Sequence, residues 1–221
     1  AQAIDATALD TCAVHAPTLH RAGSVGDIAC LSFYPTKNLA ALGEAGMVLT
    51  SDAGHATRLR AIRNQGSIEP GLYREIGGNF RMDEMQAALL NVKLSHLSVW
   101  TERRQQLAHR YDHALAEHPS LQAPASVWGP GHHVYHQYVV RIGRRRDQVQ
   151  KALAARGIET KRYYSRPLHH QPCFGDLNVD AMCFEHARAA AEHCLALPIY
   201  PRLTEAHQDR VIEALIDEAS S

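Results

Sequence analysis

The chain has 221 residues with 23 Lys+Arg against 23 Asp+Glu, so it carries no net formal charge and no bulk electrostatic reason to seek nucleic acid or an anionic membrane. Its 45% hydrophobic and 21% charged residues make a globular composition, which excludes disorder as the main state. Apolar runs such as 45–50 and 194–198 fall far short of the ~20 residues that a membrane helix needs.

In chain order, the first candidate element is a strand over 6–10, with no β-α unit ahead of it. Two apolar runs, 27–33 and 46–50, predict buried strands, and 53–64 predicts a helix. From Met82 the period turns helical, with Met82, Met85, Leu89, Leu90, Leu94 and Leu97 near one face, predicting one long helix that continues to 116. After a loop at 124–131 come a strand over 135–142, a helix over 148–155, a second strand over 158–163, and helices over 181–194 and 204–219. The expected organisation is a doubly wound α/β piece over 1–98 and a smaller α+β domain over 99–221, which includes the linking helix. The start, Ala-Gln-Ala-Ile-Asp, has no basic stretch before an apolar core, so neither a signal nor a transit peptide is expected. Five cysteines, an odd number without a C-x-x-C pair, predict neither a disulfide framework nor a zinc site and point to the cytoplasm. Fifteen histidines make the protein cationic on mild acidification.

The chemistry gathers around Lys37. The segment Ser32-Phe33-Tyr34-Pro35-Thr36-Lys37-Asn38 follows an apolar strand and precedes Gly43-Glu44-Ala45-Gly46, which puts the lysine at a strand's carboxyl end, where open α/β sheets hold ligands. Pro35 restricts the backbone ahead of it, and Gly43 and Gly46 allow close approach. Asp10 ends the candidate strand at 6–10. A Schiff-base lysine, a carboxylate facing a pyridinium nitrogen and a hydroxyl for a phosphate are the parts that a pyridoxal phosphate enzyme requires. Opposite charges within ~4–6 Å favour each other's ionised forms, which is how an Asp keeps that ring nitrogen protonated.

These residues carry a resemblance. Gly26-Asp27 through Ser32-Phe33-Tyr34-Pro35-Thr36-Lys37-Asn38-Leu39 and Gly43-Glu44-Ala45-Gly46 resemble the signature of the DegT/StrS family of pyridoxal phosphate-dependent sugar aminotransferases. The likeness continues through Asn64-Gln65-Gly66, the G-x-N-x-R segment Gly77-Gly78-Asn79-Phe80-Arg81-Met82, and Gln86-Ala87-Ala88-Leu89. It extends through Tyr135-His136-Gln137-Tyr138, Pro167-Leu168-His169 and Leu197-Pro198-Ile199-Tyr200-Pro201. The resemblance implies an aspartate-aminotransferase (fold type I) α/β transferase, of which this chain is the C-terminal part of the family's length. It implies Lys37 as the catalytic, cofactor-bearing lysine, Asp10 as the pyridinium partner, Ser32 as a phosphate ligand, and Asn79 as a ligand of the phosphate in a neighbouring subunit. A homodimer with shared active sites follows from that last role. The implied reaction moves an amino group from an amino acid donor, glutamate, to a keto group of a nucleotide-linked sugar or cyclitol. Arg81 belongs to the same motif and either binds substrate or orders the loop.

Two features depart from the family pattern. Where the family has D-x-x-Q, the fourth position here is Ala13, and the family's N-terminal strands, phosphate loop and stacking ring do not precede Asp10. The rival expectations are therefore a non-catalytic chain, or one half of a split enzyme whose complementary N-terminal chain supplies the rest. Other constellations have plainer readings. His132-His133-Val134-Tyr135-His136 has zinc-like composition, but residues 132 and 136 of a strand share a face while 133 points away, so a loop entering a strand is preferred and no metal is expected. Arg141 with Arg144-Arg145-Arg146 reads as a solvated turn, Gly43-x-x-Gly46 is too short for a phosphate loop, and Cys12 and Cys30 read as buried, inert thiols.

Overall fold

The computed structural model describes residues 22–126, 129, 131–177 and 183–220. The expected strand at 6–10, with Asp10, Cys12 and Ala13, lies outside the described residues, as does the start of the helix expected at 181. The chain divides into two compact units after Thr101.

Among the described residues the first unit begins with β1 (Ala29–Ser32) and β2 (Gly46–Leu49), which pair antiparallel with Ala29 opposite Leu49 and Ser32 opposite Gly46. The apolar runs predicted fully buried strands, yet only alternate residues turn inward. Leu31 and Met47 pack on the core, while Cys30 is exposed and Val48 is 48% exposed. Cys30 is therefore not a buried thiol. Helix α1 (Ala53–Arg63) begins where the Asp52 carboxylate accepts the His55 N–H at 2.6 Å and carries Arg60 and Arg63 in its last turn, both favourable to the helix dipole. A hairpin, β3 (Ser67–Glu69) and β4 (Leu72–Tyr73), follows.

The single long helix expected from Met82 is two helices, α2 (Glu84–Leu94) and α3 (Leu97–Leu115). Asp83 caps α2 by accepting the Met85 N–H at 2.8 Å. The break has a local cause: the Ser95 hydroxyl donates to the Val92 carbonyl at 2.8 Å and the His96 N–H turns back to Lys93 O at 3.0 Å. Ser/Thr back-bonding of this kind competes with the helical ladder. Leu94 and Leu97 both stay in the core, which also holds Phe33, Leu39, Ala41 and Leu90.

In the second unit, β5 (Tyr138–Arg141) pairs antiparallel with β6 (Cys194–Leu197). Single bridges extend this pair on both sides, Gln122 to Arg141 and Lys161 to Ala196. The strand expected over 158–163 is reduced to that one bridge. Its alternation is real, since Ile158 and Thr160 are buried, but no ladder is built on it. Helices α4 (Arg146–Ala155), α5 (Glu185–His193) and α6 (Glu205–Ser220) complete the unit around Leu107, Tyr111, Tyr138, Val149, Leu195 and Leu215. Arg146 departs from the solvated-turn expectation. It is buried, and its Nη1 donates to the carbonyls of Ala191 and Cys194 at 3.1 Å each. All the strand pairs among the described residues are antiparallel, so none shows the parallel pairing of a doubly wound sheet.

Candidate active site

Lys37 sits in the loop that joins β1 to β2. Phe33 anchors the loop at both ends: its N–H donates to Ala45 O at 2.9 Å and its carbonyl accepts the Ala41 N–H at 2.8 Å. Between these anchors the Lys37 N–H donates to Tyr34 O at 2.8 Å, closing a turn with Pro35 at its second position, where a fixed φ suits the bend. Ser32 Oγ accepts the Tyr34 N–H at 3.3 Å. The backbone of Tyr34 is thus held at its N–H by Ser32 and at its carbonyl by Lys37.

Helix α2 braces the far end of the loop. Gln86 Oε1 accepts the Leu42 N–H at 2.8 Å, and the half-buried Lys93 ammonium donates to Ala40 O. Seven residues apart, Gln86 and Lys93 lie about two turns along one helix face, beside the buried Leu90 and Leu94. Leu39 and Ala41 are buried on either side of Ala40. Lys37 itself is half-exposed, and among the described residues no ion pair or side-chain hydrogen bond engages its amine.

Asn79 lies elsewhere in the unit, on a clasp where the chain following β4 crosses the end of α1. Asn64 and Asn79 form a bridge. Gly78 N–H donates to Ile62 O at 3.0 Å, Phe80 N–H to Arg63 O at 3.0 Å and Gln65 N–H to Gly78 O at 2.9 Å. The crossing is too close for side chains at two positions: a Cβ on Gly66 would sit 1.6 Å from Glu75 O, and one on Gly77 would sit 2.5 Å from Gly66 N. Asn79 remains exposed. Ser32 and Lys37 both bond the backbone of Tyr34, whereas among the described residues no hydrogen bond joins Asn79 to either of them. Asp10 lies outside the described residues.

The histidine segment makes no metal cluster among the described residues. His133 Nδ1 instead accepts the Tyr135 N–H at 2.9 Å, Tyr135 is left-handed at φ +42°, and burial pushes the His133 imidazole below its ordinary range. Nearby, the buried Arg104 donates from Nη1 to Tyr135 O at 3.0 Å and to Ile199 O at 2.9 Å. Tyr138 donates to Asp112 Oδ1 at 2.5 Å, and burial, then that bond, raises its phenol above the ordinary range. A groove of about 560 Å³ between α3 and α6, lined by Arg103, Arg110, Glu205 and Asp209 among others, contains none of the site residues expected from sequence.

Sequence reasoning missed Gln86 and Lys93 as braces. Their signal is two polar residues seven apart on the helix face that also carries Leu90 and Leu94, an interruption that an apolar stripe does not need.

The fold has close counterparts. The solved structure of S. venezuelae DesV overlays at a TM-score of 0.85 with 38% identity, covering 91% of this chain and 54% of that one. A DegT DnrJ EryC1 StrS aminotransferase from Brucella abortus overlays at 0.84 with 31% identity, covering 91% of this chain and 53% of that one. This likeness defines the class as a fold type I α/β transferase. Among sequences, a "pleiotropic regulatory protein" of Geobacillus stearothermophilus is 41% identical over 197 residues, 88% of this chain and 52% of that protein. The dTDP-3-amino-3,4,6-trideoxy-alpha-D-glucose transaminase of Streptomyces venezuelae is 38% identical over 195 residues, 88% of this chain and 51% of that protein. Residues 1–216 match the family model described as the DegT/DnrJ/EryC1/StrS aminotransferase family, and the chain belongs to that family. It spans about half the length of the curated relatives it matches.

Proposed function

We propose that the protein is a pyridoxal phosphate-dependent aminotransferase that moves an amino group from an amino acid, glutamate, to a keto group of a nucleotide-linked sugar or cyclitol. The observation that carries this reading is the Lys37 loop, a primary amine without a partner among the described residues, on a turn anchored at Phe33 and braced by Gln86 and Lys93. Those residues fit the cofactor. The amine suits its aldehyde. Ser32 spends a lone pair on Tyr34 N–H and keeps its own hydroxyl proton for a phosphate oxygen, and Asn79 offers an exposed amide. Bound pyridoxal phosphate supplies an electron-withdrawing ring and a carbon on which an amino group is carried. Lys37 would hold that carbon through its side-chain nitrogen and, once released from it as a free amine, would carry the proton. Ser32 would hold the phosphate, and Asp10 would pair with the ring nitrogen. The acceptor class is supported by relatives named as aminotransferases of dTDP- and UDP-linked sugars.

In the same reading, residues 1–98 are the C-terminal part of the large cofactor-binding domain and 99–221 the small α+β domain. The protein acts as a homodimer with shared sites. Supporting the dimer, the segment that leads to Asn79 and just past it leaves large apolar side chains in solvent, Tyr73 62%, Ile76 100% and Phe80 70% exposed, as segments that meet a partner do. A cytoplasmic location is supported by Cys30, Cys173 and Cys183, which are exposed and free. Whether the site is completed by an upstream segment, by a second copy or by a complementary chain, Lys37 keeps its role.

Borohydride trapping tests the reading. The chain is mixed with pyridoxal phosphate, reduced and peptide-mapped; attachment at Lys37, abolished by Lys37→Ala, is expected. Attachment only at Lys93, Lys151 or Lys161, or the same yield from Lys37→Ala, would overturn it.

A further inference from the structure

Arg81 has two possible uses, contacting substrate or ordering its own loop. Its Nη1 donates to Asn64 Oδ1 at 2.6 Å, and Asn64 is the residue that caps α1 and bridges to Asn79. The Asn64 side chain is a spacer between the guanidinium and the clasp. It lies on the residue whose backbone pairs with Asn79, flanked by the Gln65 to Gly78 and Phe80 to Arg63 bonds. The bond is short and charge-assisted, of the stronger class. The backbone on either side has little freedom to compensate for its loss. Gln65 stands at φ +63° and Gly66 at φ +79°, and Gly66 and Gly77 approach too closely to admit a Cβ. The end of α1 and the 77–81 segment therefore form one unit, and the Arg81 to Asn64 bond joins the two strands of it through side chains.

We propose that Arg81 is a positioning residue for Asn79, holding Asn64 so that the clasp presents the Asn79 amide in a fixed place to a phosphate. The proposal rests on the reading that Asn79 meets the cofactor's phosphate. It assigns Arg81 to the loop through Asn64, and it makes Asn64 the obligatory intermediary: removing either end of that bond has the same consequence.

The test pairs two measurements on the wild-type chain and on Arg81→Ala, Arg81→Lys, Asn64→Ala and Asn79→Ala. Amide hydrogen exchange without cofactor reads the clasp. Arg81→Ala and Asn64→Ala are expected to speed exchange at Gln65, Gly78 and Phe80 by about tenfold while Val140 in β5 is unchanged, and Arg81→Lys, which keeps a donor for Asn64, stays near wild type. Dissociation constants for pyridoxal phosphate and for pyridoxal, which lacks the phosphate, read the ligand. Arg81→Ala and Asn79→Ala are each expected to lower the preference for the phosphorylated form by about tenfold, and the double variant to lower it no further than either alone. Unchanged exchange in Arg81→Ala overturns the proposal. So does a preference lost in Asn79→Ala but kept in Arg81→Ala, or an equal loss of both ligands in Arg81→Ala, which marks a general structural role. A preference kept in Asn79→Ala overturns the reading of Asn79 as a phosphate ligand, and with it the ligand half of the proposal; the exchange data still decide the clasp.

Discussion

Gln86 Oε1 accepts the Leu42 N–H at 2.8 Å, a bond that spans 44 residues of sequence and ties the first turn of α2 to the loop that carries Lys37. With Lys93 on Ala40 O, the helix holds two peptide groups one residue apart. Removing a brace frees the loop more than it destabilises the unit, because Leu42 is 77% exposed and water replaces the lost acceptor. Gln86→Leu is expected to cost about 1 kcal/mol in urea unfolding. The larger effect is on order: the Ala41 N–H, now bonded to Phe33 O at 2.8 Å, exchanges faster, and the yield of cofactor trapped on Lys37 falls. An Ala41 amide that stays as protected as in the wild type would show that α2 does not brace the loop.

Two glycines with nearly the same backbone separate steric from conformational cost. Gly66 at φ +79° has Glu75 O 1.6 Å from a would-be Cβ, whereas Gly71 at φ +82° has nothing within 4 Å. Gly71→Ala pays only the left-handed penalty, about 1 kcal/mol. Gly66→Ala must also push the 75–78 segment off α1 and is expected to cost about 3 kcal/mol or more, read as a fall in urea midpoint. Equal midpoints for the two variants would mean that the clasp yields easily.

The exposed apolar side chains of the segment that carries Asn79 give a prediction about assembly. Ile76 is fully exposed, so it contributes no burial to the isolated unit, and Ile76→Lys is expected to leave the fold, read by far-ultraviolet circular dichroism, unchanged. In sedimentation the wild type is expected as a dimer and Ile76→Lys as a monomer. A wild-type monomer, or a dimer unaffected by Ile76→Lys, would place the subunit contact elsewhere.

The lysine loop is legible in sequence because its determinants are local: an apolar strand, Pro35 at a turn, a lysine two residues on, and glycines at 43 and 46. What holds the loop is not local. The Lys93 to Ala40 bond spans 53 residues, and nothing in either segment names the other. The break at Ser95 escapes a periodicity argument because Leu94 and Leu97 keep the helical spacing across it, while the serine hydroxyl on Val92 O ends the ladder. Arg146 is hidden for a third reason. A run of three arginines reads as solvated, yet the third finds two backbone carbonyls that need a donor.

His133 yields a pH dependence with a definite sign. Its neutral ring accepts the Tyr135 N–H at Nδ1, and burial, opposed by the Asp112 charge, holds its pKa below the ordinary imidazole value. Protonation turns that acceptor into a donor facing another donor, at a residue already in the left-handed region. The unfolded chain takes up its proton near pH 6.5 and the folded chain only at lower pH, so between the two values the unfolded state binds more protons. The stability that His133 contributes is therefore fully present above about pH 6.5 and is lost as the pH falls toward the folded value, levelling off below it. His133→Asn, whose amide oxygen also accepts the Tyr135 N–H, does not titrate. Melting temperatures from pH 8 to 5 should fall more steeply for the wild type than for His133→Asn, with the divergence beginning near pH 6.5; parallel curves would mean that the imidazole does not sense folding.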